Sequence, residues 1–184
     1  MAYPHWSYFP RNVRPPEWAR ELVEVVAAHR PVIDSQPVPV EKSVRLTSDY
    51  VLEKLREAME ALGYQVESGK AASQKITRPV LFGEEGKAAV SYDIDAFHDN
   101  LGIAVEVEAG RGSNSNADYR DILRTSLLLD ARFLVLFMPI AYHFTSAGRA
   151  QSISGYANTL NQLSAIYASQ RLRLPFEGVL LIGY

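Results

Sequence analysis

Asp93 and Asp95, then Glu106 and Glu108, stand two apart in neighbouring segments of the chain, each pair interleaved with apolar residues. The stretch from Ser91 to Glu108 reads as strand, tight turn, strand, with Asp99-Asn100 as the turn. In an extended strand alternate side chains share a face. Val90, Tyr92, Ile94 and Ala96 then point one way, and Asp93 and Asp95 the other. On the returning strand Ile103, Val105 and Val107 line one face; Ala104, Glu106 and Glu108 line the opposite one. A turn centred on Asp99-Asn100 sets Asp93 opposite Glu106 and Asp95 opposite Ala104, with all four carboxylates on one face. Like charges across a ladder destabilise it, and a divalent cation is the most economical compensation. The same E-x-E alternation also arises on an ordinary solvent-facing sheet.

The elements that must hold these residues can be read along the chain. Its 184 residues, 47% hydrophobic, suffice for a domain with a real core. The net charge of -2 argues against a non-specific nucleic-acid coat protein but leaves room for a local basic patch. Without cysteine the chain has neither disulfides nor thiolate metal sites, which fits a reducing, cytoplasmic setting. No secretory leader and no apolar run long enough to cross a bilayer is evident, so no membrane partner is expected. His98 and His143 lack the companions of a hydrolytic triad.

Residues 1–47 read as an N-terminal arm rich in aromatics and proline, a helix carrying Trp18, Leu22 and Val25, and a Pro-rich connector, all packed on a core domain formed by 48–184. The arm could instead contact a second copy. Ser48 looks like the N-cap of a helix with Leu52, Leu55, Met59 and Leu62 on its apolar face. A loop or ribbon follows over 70–87, then the acidic hairpin. A turn-forming run, 110–116, leads to a helix capped by Asn116 with Ile122, Leu123 and Leu127 as its core face. The run from Arg132 to Met138 is apolar without alternation after its first residue, which predicts a strand covered on both faces. A long helix over 152–171 and a strand over 178–182 complete the chain. The expected fold is an α/β, three-layer mixed sheet flanked by helices.

This order of elements, with Asp95 followed after ten intervening residues by Glu106-Val107-Glu108, resembles the restriction-endonuclease-like superfamily of metal-dependent nucleases, whose signature is PD-(D/E)XK. The resemblance covers most of residues 48–138. It departs at Ile94, where the signature has proline, and at Glu108, where it has lysine. It implies a DNA endonuclease of restriction, defence or repair type, with Asp95, Glu106 and Glu108 as catalytic residues. Asp95, Glu106 and the Val107 carbonyl would bind Mg²⁺, or Mn²⁺ in its stead, and Asp93 and Glu53 (or Glu57) are further candidate ligands. Lysine at position 108 would place a positive charge beside the phosphate, so the glutamate variant should lean more heavily on its metal.

Duplex DNA is the expected partner. Arg111, Arg120 and Arg124 could meet phosphates, the last two sharing a helix face. Lys70, Lys75 and Arg78 form a second basic cluster, and Ser113, Asn114 and Asn116 could contact bases or backbone. A homodimer would suit cleavage of both strands, with Leu160, Leu163, Ile166 and Tyr167 or the aromatic arm as interface, although core packing explains the same pattern. The other reading is a catalytically inactive nuclease-fold module for DNA binding or assembly.

Overall fold

The computed structural model describes residues 2–38, 46–109, 117–169 and 171–184. Its centre is a six-stranded mixed sheet. The strands are β1 (His5–Phe9), β2 (Gln65–Val66), β5 (Ala96–His98), β6 (Ile103–Val107), β7 (Phe133–Met138) and β10 (Gly178–Gly183), in spatial order β1-β10-β7-β6-β5-β2. β6, β7 and β10 are parallel; β1 and β5 run against them. The parallel strands read as unbroken apolar runs because both faces are covered. Val135, Phe137, Leu180 and Ile182 face helices α1 (Glu17–Ala28) and α3 (Ser48–Ala61), through Trp18, Leu22, Val26, Leu52 and Leu55. Leu134, Leu136, Val179 and Leu181 face the other way, toward Leu163 and Ile166 of α5 (Gly155–Ala168) and Ile122 of α4 (Ala117–Ser126). A short helix, α2 (Arg30–Ile33), closes the first layer with Ile33 buried. This is the three-layer α/β arrangement expected from the order of elements.

Two antiparallel ribbons stand outside the sheet: β3 (Ile76–Phe82) with β4 (Ala88–Ile94), and β8 (Tyr142–Ser146) with β9 (Arg149–Ile153). Both change the sequence reading. The strand entering the acidic hairpin is broken at Asp95: β4 pairs with β3, and the chain bends at Asp95 before β5 joins the main sheet. Residues 142–153 form a ribbon that sequence periodicity did not reveal, so the helix expected over 152–171 begins at Gly155, capped by Ser154. The N-cap of α3 is likewise Thr47, whose hydroxyl accepts the Tyr50 N–H at 3.1 Å, rather than Ser48.

The hairpin register also differs. Ala96 pairs with Val105, Phe97 with Ala104 and His98 with Ile103. Ala104 therefore faces Phe97, not Asp95, and the turn is longer than a two-residue loop at Asp99-Asn100. Gly102 is the reason. It has φ +65°, and its Cα lies so close to the next connection that a Cβ would stand 2.7 Å from the Asp130 carbonyl. Its own carbonyl accepts the N–H groups of Arg132 (2.8 Å) and Phe133 (2.9 Å), locking the hairpin to the start of β7. The shift is by an even number of residues, so the side-chain faces are preserved.

Helix α4 inverts its expected face. Ile122 is buried, but Leu123 and Leu127 are exposed, and the remaining buried positions are Asp118, Asp121 and Thr125. The dimer candidates on α5 are consumed internally: Leu163 and Ile166 are buried in the second core, with Leu160 and Tyr167 packed against it. The aromatic arm enters the sheet as β1, with Tyr8 and Phe9 buried.

Gly102→Ala should lower stability by about 2 kcal/mol, from the left-handed backbone and the clash together. Equilibrium urea unfolding checks this; an unchanged midpoint would mean the turn is not clamped as described.

Candidate active site at one end of the sheet

The topology gathers acids at a single sheet end. β6 runs toward that end, so Glu106 and Glu108 arrive with its last turn of pleat. β5 starts there, which puts Asp95 at its entry. β2 finishes there, followed at once by Glu67, whose N–H donates to the Asp95 carbonyl at 2.8 Å. Across the opening lies α4 with Asp121 and Arg124. These residues line an open, strongly polar cleft of ≈ 310 Å³, together with Lys75, Asp93 and Val107.

Each acid is held by a specific contact. The Val107 N–H donates to Asp95 Oδ2 at 2.7 Å, pinning that carboxylate across the gap between strands. An extended residue projects its N–H and C=O to the same side, so the Val107 carbonyl also turns toward Asp95. Glu106 is 8% exposed, and its Oε1 is buried with no hydrogen-bond partner. Glu108 lies beside Arg120, at 3.5 Å; its own N–H donates to the Phe137 carbonyl at 2.9 Å and its carbonyl accepts the buried Tyr184 hydroxyl at 2.6 Å. Asp121 is buried and pairs with Arg120 Nε at 3.1 Å. Glu67, buried as well, pairs with Lys75 at 2.7 Å.

Crowding and burial disfavour ionisation. Burial, opposed by the Val107 hydrogen bond and reinforced by Glu67 and Asp121, pushes the Asp95 carboxyl up to about 6. Burial and then the charges of Asp95 and Asp121 hold Glu106 well above the ordinary carboxylate range. Burial, and after it the adjoining Asp121, pushes Glu108 up to about 8. Lys75 opposes the rise at Asp95, Arg124 at Glu106 and Arg120 at Glu108.

Among the residues expected from the sequence, Asp95, Glu106, Val107 and Glu108 are brought together, with Asp93 at the rim, exposed and accepting the Thr77 hydroxyl at 2.8 Å. Asp93 does not face Glu106; it belongs to the ribbon and pairs with Thr77. Glu53 is exposed on the outer side of α3 and pairs with Lys54 at 2.9 Å, outside the cleft; Glu57 is exposed too. Arg120 and Arg124 share the cleft-facing side of α4, and Arg124 donates to the Asp93 carbonyl at 2.9 Å. Lys70 stands at the rim beside Asp49, at 2.7 Å, while Lys75 reaches inside. Arg78 departs from the basic cluster: it pairs with Asp99 at 2.6 Å and stacks on Phe97, because its strand position aims it at the hairpin turn. Arg111, Ser113, Asn114 and Asn116 lie outside the described residues.

Sequence reasoning missed Glu67, Asp121 and Tyr184. Asp121 carried a signal: Asp118, Asp121, Ile122 and Thr125 recur at the spacing of one helix face, a polar stripe where leucines had seemed the obvious core. Glu67 and Tyr184 carried none, since their neighbours at the site come from distant segments.

Comparison with known proteins follows from this geometry. A family model described as "Putative halobacteria restriction endonuclease" matches residues 2–184. The chain belongs to that family. No curated protein matches it in sequence. In structure it is similar to the restriction endonuclease BglII crystallised with a DNA 16-mer, with a TM-score of 0.54, 12% identity, and coverage of 99% of this chain and 76% of that one. It is also similar to free BglII, with a TM-score of 0.50, 12% identity, and coverage of 99% and 79%. The fold is therefore that of a restriction endonuclease. Among the described residues no helix is long and apolar enough to cross a membrane.

Among the described residues no three acid or imidazole side chains form a ready-made metal cage. Two carboxylates, Asp95 and Glu106, and the intervening Val107 carbonyl are what this end of the sheet offers. That set suits a small hard cation that keeps several of its waters. The unpartnered Glu106 Oε1 is the atom that such an ion would satisfy.

The raised carboxyls fix the sign of the pH response. Folded Asp95 and Glu108 retain protons that the unfolded chain releases near its ordinary values of 3.8 and 4.5. Stability is then lost as pH climbs from those values through about 6 and about 8. In chelator, the thermal midpoint should fall between pH 5 and pH 8, and Glu106→Gln should flatten that fall. A midpoint that rises over the same interval would contradict the crowding.

Proposed function

We propose that this protein is a divalent-metal-dependent endonuclease that hydrolyses phosphodiester bonds of duplex DNA, with Mg²⁺ as cofactor and Mn²⁺ able to replace it. The observation that carries the reading is Glu106: a buried carboxylate oxygen without a partner, beside Asp95, in a chain of restriction-endonuclease family and fold. Burying a carboxylate without compensation is expensive. Asp95, Glu106 and the Val107 carbonyl would hold a cation that offsets that cost and would supply Lewis acidity toward water and the phosphate.

The chain's own residues divide the remaining work. Glu108 is placed to take a proton from an attacking water, and a cation held beside it would draw its raised carboxyl back toward the ionised form that a base requires. Its carbonyl is tied to the Tyr184 hydroxyl and its N–H to β7, which keeps the side chain from drifting off the reaction line. Arg120, exposed, and Arg124, half-buried, on the cleft side of α4, are suited to the phosphates flanking the scissile bond. Lys75 brings a positive charge into the cleft from outside the motif, where position 108 holds none. Severing both strands takes two such sites, which a homodimer with two-fold symmetry would provide.

Asp95→Asn and Glu106→Gln should each reduce cleavage of plasmid DNA more than about 100-fold while the circular dichroism spectrum stays native. Calorimetry with Mn²⁺ should find a site in the native chain that is missing in Glu106→Gln. No metal binding and no cleavage of supercoiled DNA, single strands or RNA would replace this reading with that of an inactive nuclease-fold module for DNA binding or assembly.

A further inference from the structure

The β3–β4 ribbon borders the acidic cleft through Asp93 and Ile94, the β8–β9 ribbon springs from the same end of the sheet, and their surfaces differ in kind. The β3–β4 ribbon runs directly into Asp95 and carries Glu84 and Glu85 at its tip, with Leu81 and Phe82 exposed beside them. Carboxylates there would repel a polyphosphate chain. The β8–β9 ribbon is the opposite case. From Ala131 to Phe176 the chain contains no Asp or Glu, although it has 21 in all. The ribbon's outer half, residues 145–152, is fully exposed and bears hydroxyls, an amide and Arg149.

Its placement follows from the sheet. β7 is parallel to β6, and the ribbon continues from the end of β7, the end at which Glu106 and Glu108 emerge. Two hydrogen bonds join the ribbon's root to the site: the Ile140 N–H donates to the Tyr184 carbonyl at 2.9 Å, and the Tyr184 hydroxyl donates to the Glu108 carbonyl at 2.6 Å. A third contact, His143 Nε2 with the Gln36 carbonyl at 3.1 Å, ties one face of the ribbon to the body. The chain then returns along α5, so the ribbon projects outward on its own.

Register decides what the other face presents. Phe144 pairs with Gln151 and Ser146 with Arg149, so Ser146, Arg149 and Gln151 share the face opposite His143. The tip is narrow: Ala147 (φ 48°) and Gly148 (φ 75°) both have positive φ, as a two-residue type I′ turn requires. A strand of five residues reaches about 17 Å, and the major groove admits a two-stranded ribbon.

We propose that the β8–β9 ribbon is the sequence-reading element of this enzyme, entering the major groove of duplex DNA with Ser146, Arg149 and Gln151 toward the base edges. The inference rests on the nuclease reading above. Arginine matches the paired acceptors of guanine and glutamine the donor–acceptor pair of adenine, so Arg149 and Gln151 discriminate base pairs while the serine hydroxyl adapts to either.

The test digests a pool of duplexes with a randomised centre, using the full chain and Mg²⁺, and sequences the cut ends. The wild type should enrich a defined motif. Arg149→Ala and Gln151→Ala, both exposed and expected to keep the wild-type thermal midpoint, should each relax one position of that motif by about tenfold or more. Variants that remain as selective as the wild type overturn the ribbon's role and leave the nuclease reading standing. So does a uniform loss of affinity with a salt dependence shallower by about one ion and the motif unchanged, which marks a phosphate contact instead. A wild-type chain that neither binds nor cuts any duplex overturns both.

Discussion

Mutual repulsion among buried and half-buried carboxylates is the constraint around which this molecule is arranged. Asp95, Glu106 and Glu108 sit within one another's field, with Asp121 pressing on all three. In water such a group would spread apart. Here the strands that carry them cannot spread, because Val135, Phe137, Leu180 and Ile182 behind them are locked between the helices of one layer, and Leu134, Leu136, Val179 and Leu181 against those of the other. The core supplies the force that holds the acids together, and the raised proton affinities record the strain of doing so. Lys75, Arg120 and Arg124 relieve part of it from the rim.

The same constraint accounts for features that look anomalous in isolation. Helix α4 turns a polar stripe inward and leaves Leu123 and Leu127 in solvent. The inward groups have different partners: Asp118 accepts the Thr159 hydroxyl of α5 at 3.0 Å, whereas Asp121 lines the cleft and engages Arg120. The break at Asp95 serves a related need. A continuous strand would have carried Asp93 into the ladder beside Asp95. By bending there, the chain sends Asp93 out along the ribbon and leaves Asp95 free to accept the Val107 N–H. The hairpin turn, clamped through Gly102 to the start of β7, then sets the depth at which Glu106 emerges.

In the proposed metal site, two carboxylates and a backbone oxygen would make a sparse donor set, and that sparseness would leave room for the cation's own waters. A fully enclosing cage would fix the cation and exclude its waters, whereas a hydrolytic site needs coordinated water close to the phosphate. Glu108, which the motif resemblance sets where lysine is usual, has its backbone bound on both sides, to Phe137 and Tyr184. Positive charge enters instead from Lys75 and from α4, elements that the motif does not include.

What the amino-acid sequence determined by itself is local. Alternation placed Glu106 and Glu108 on one strand face, the unbroken apolar run over 133–138 announced a strand covered on both sides, and Asp95 with the E-x-E segment carried the resemblance to the nuclease superfamily. These follow from backbone periodicity, which is legible in any short window. Tertiary structure alone decided the register of the hairpin, the arrival of Glu67, Asp121 and Lys75 at the cleft, the diversion of Arg78 and Glu53 away from it, and the ribbon over 142–153. Each depends on which strand pairs with which and on how a turn closes. Those choices are settled by contacts between residues far apart in the chain, where local propensity carries no information about the partner.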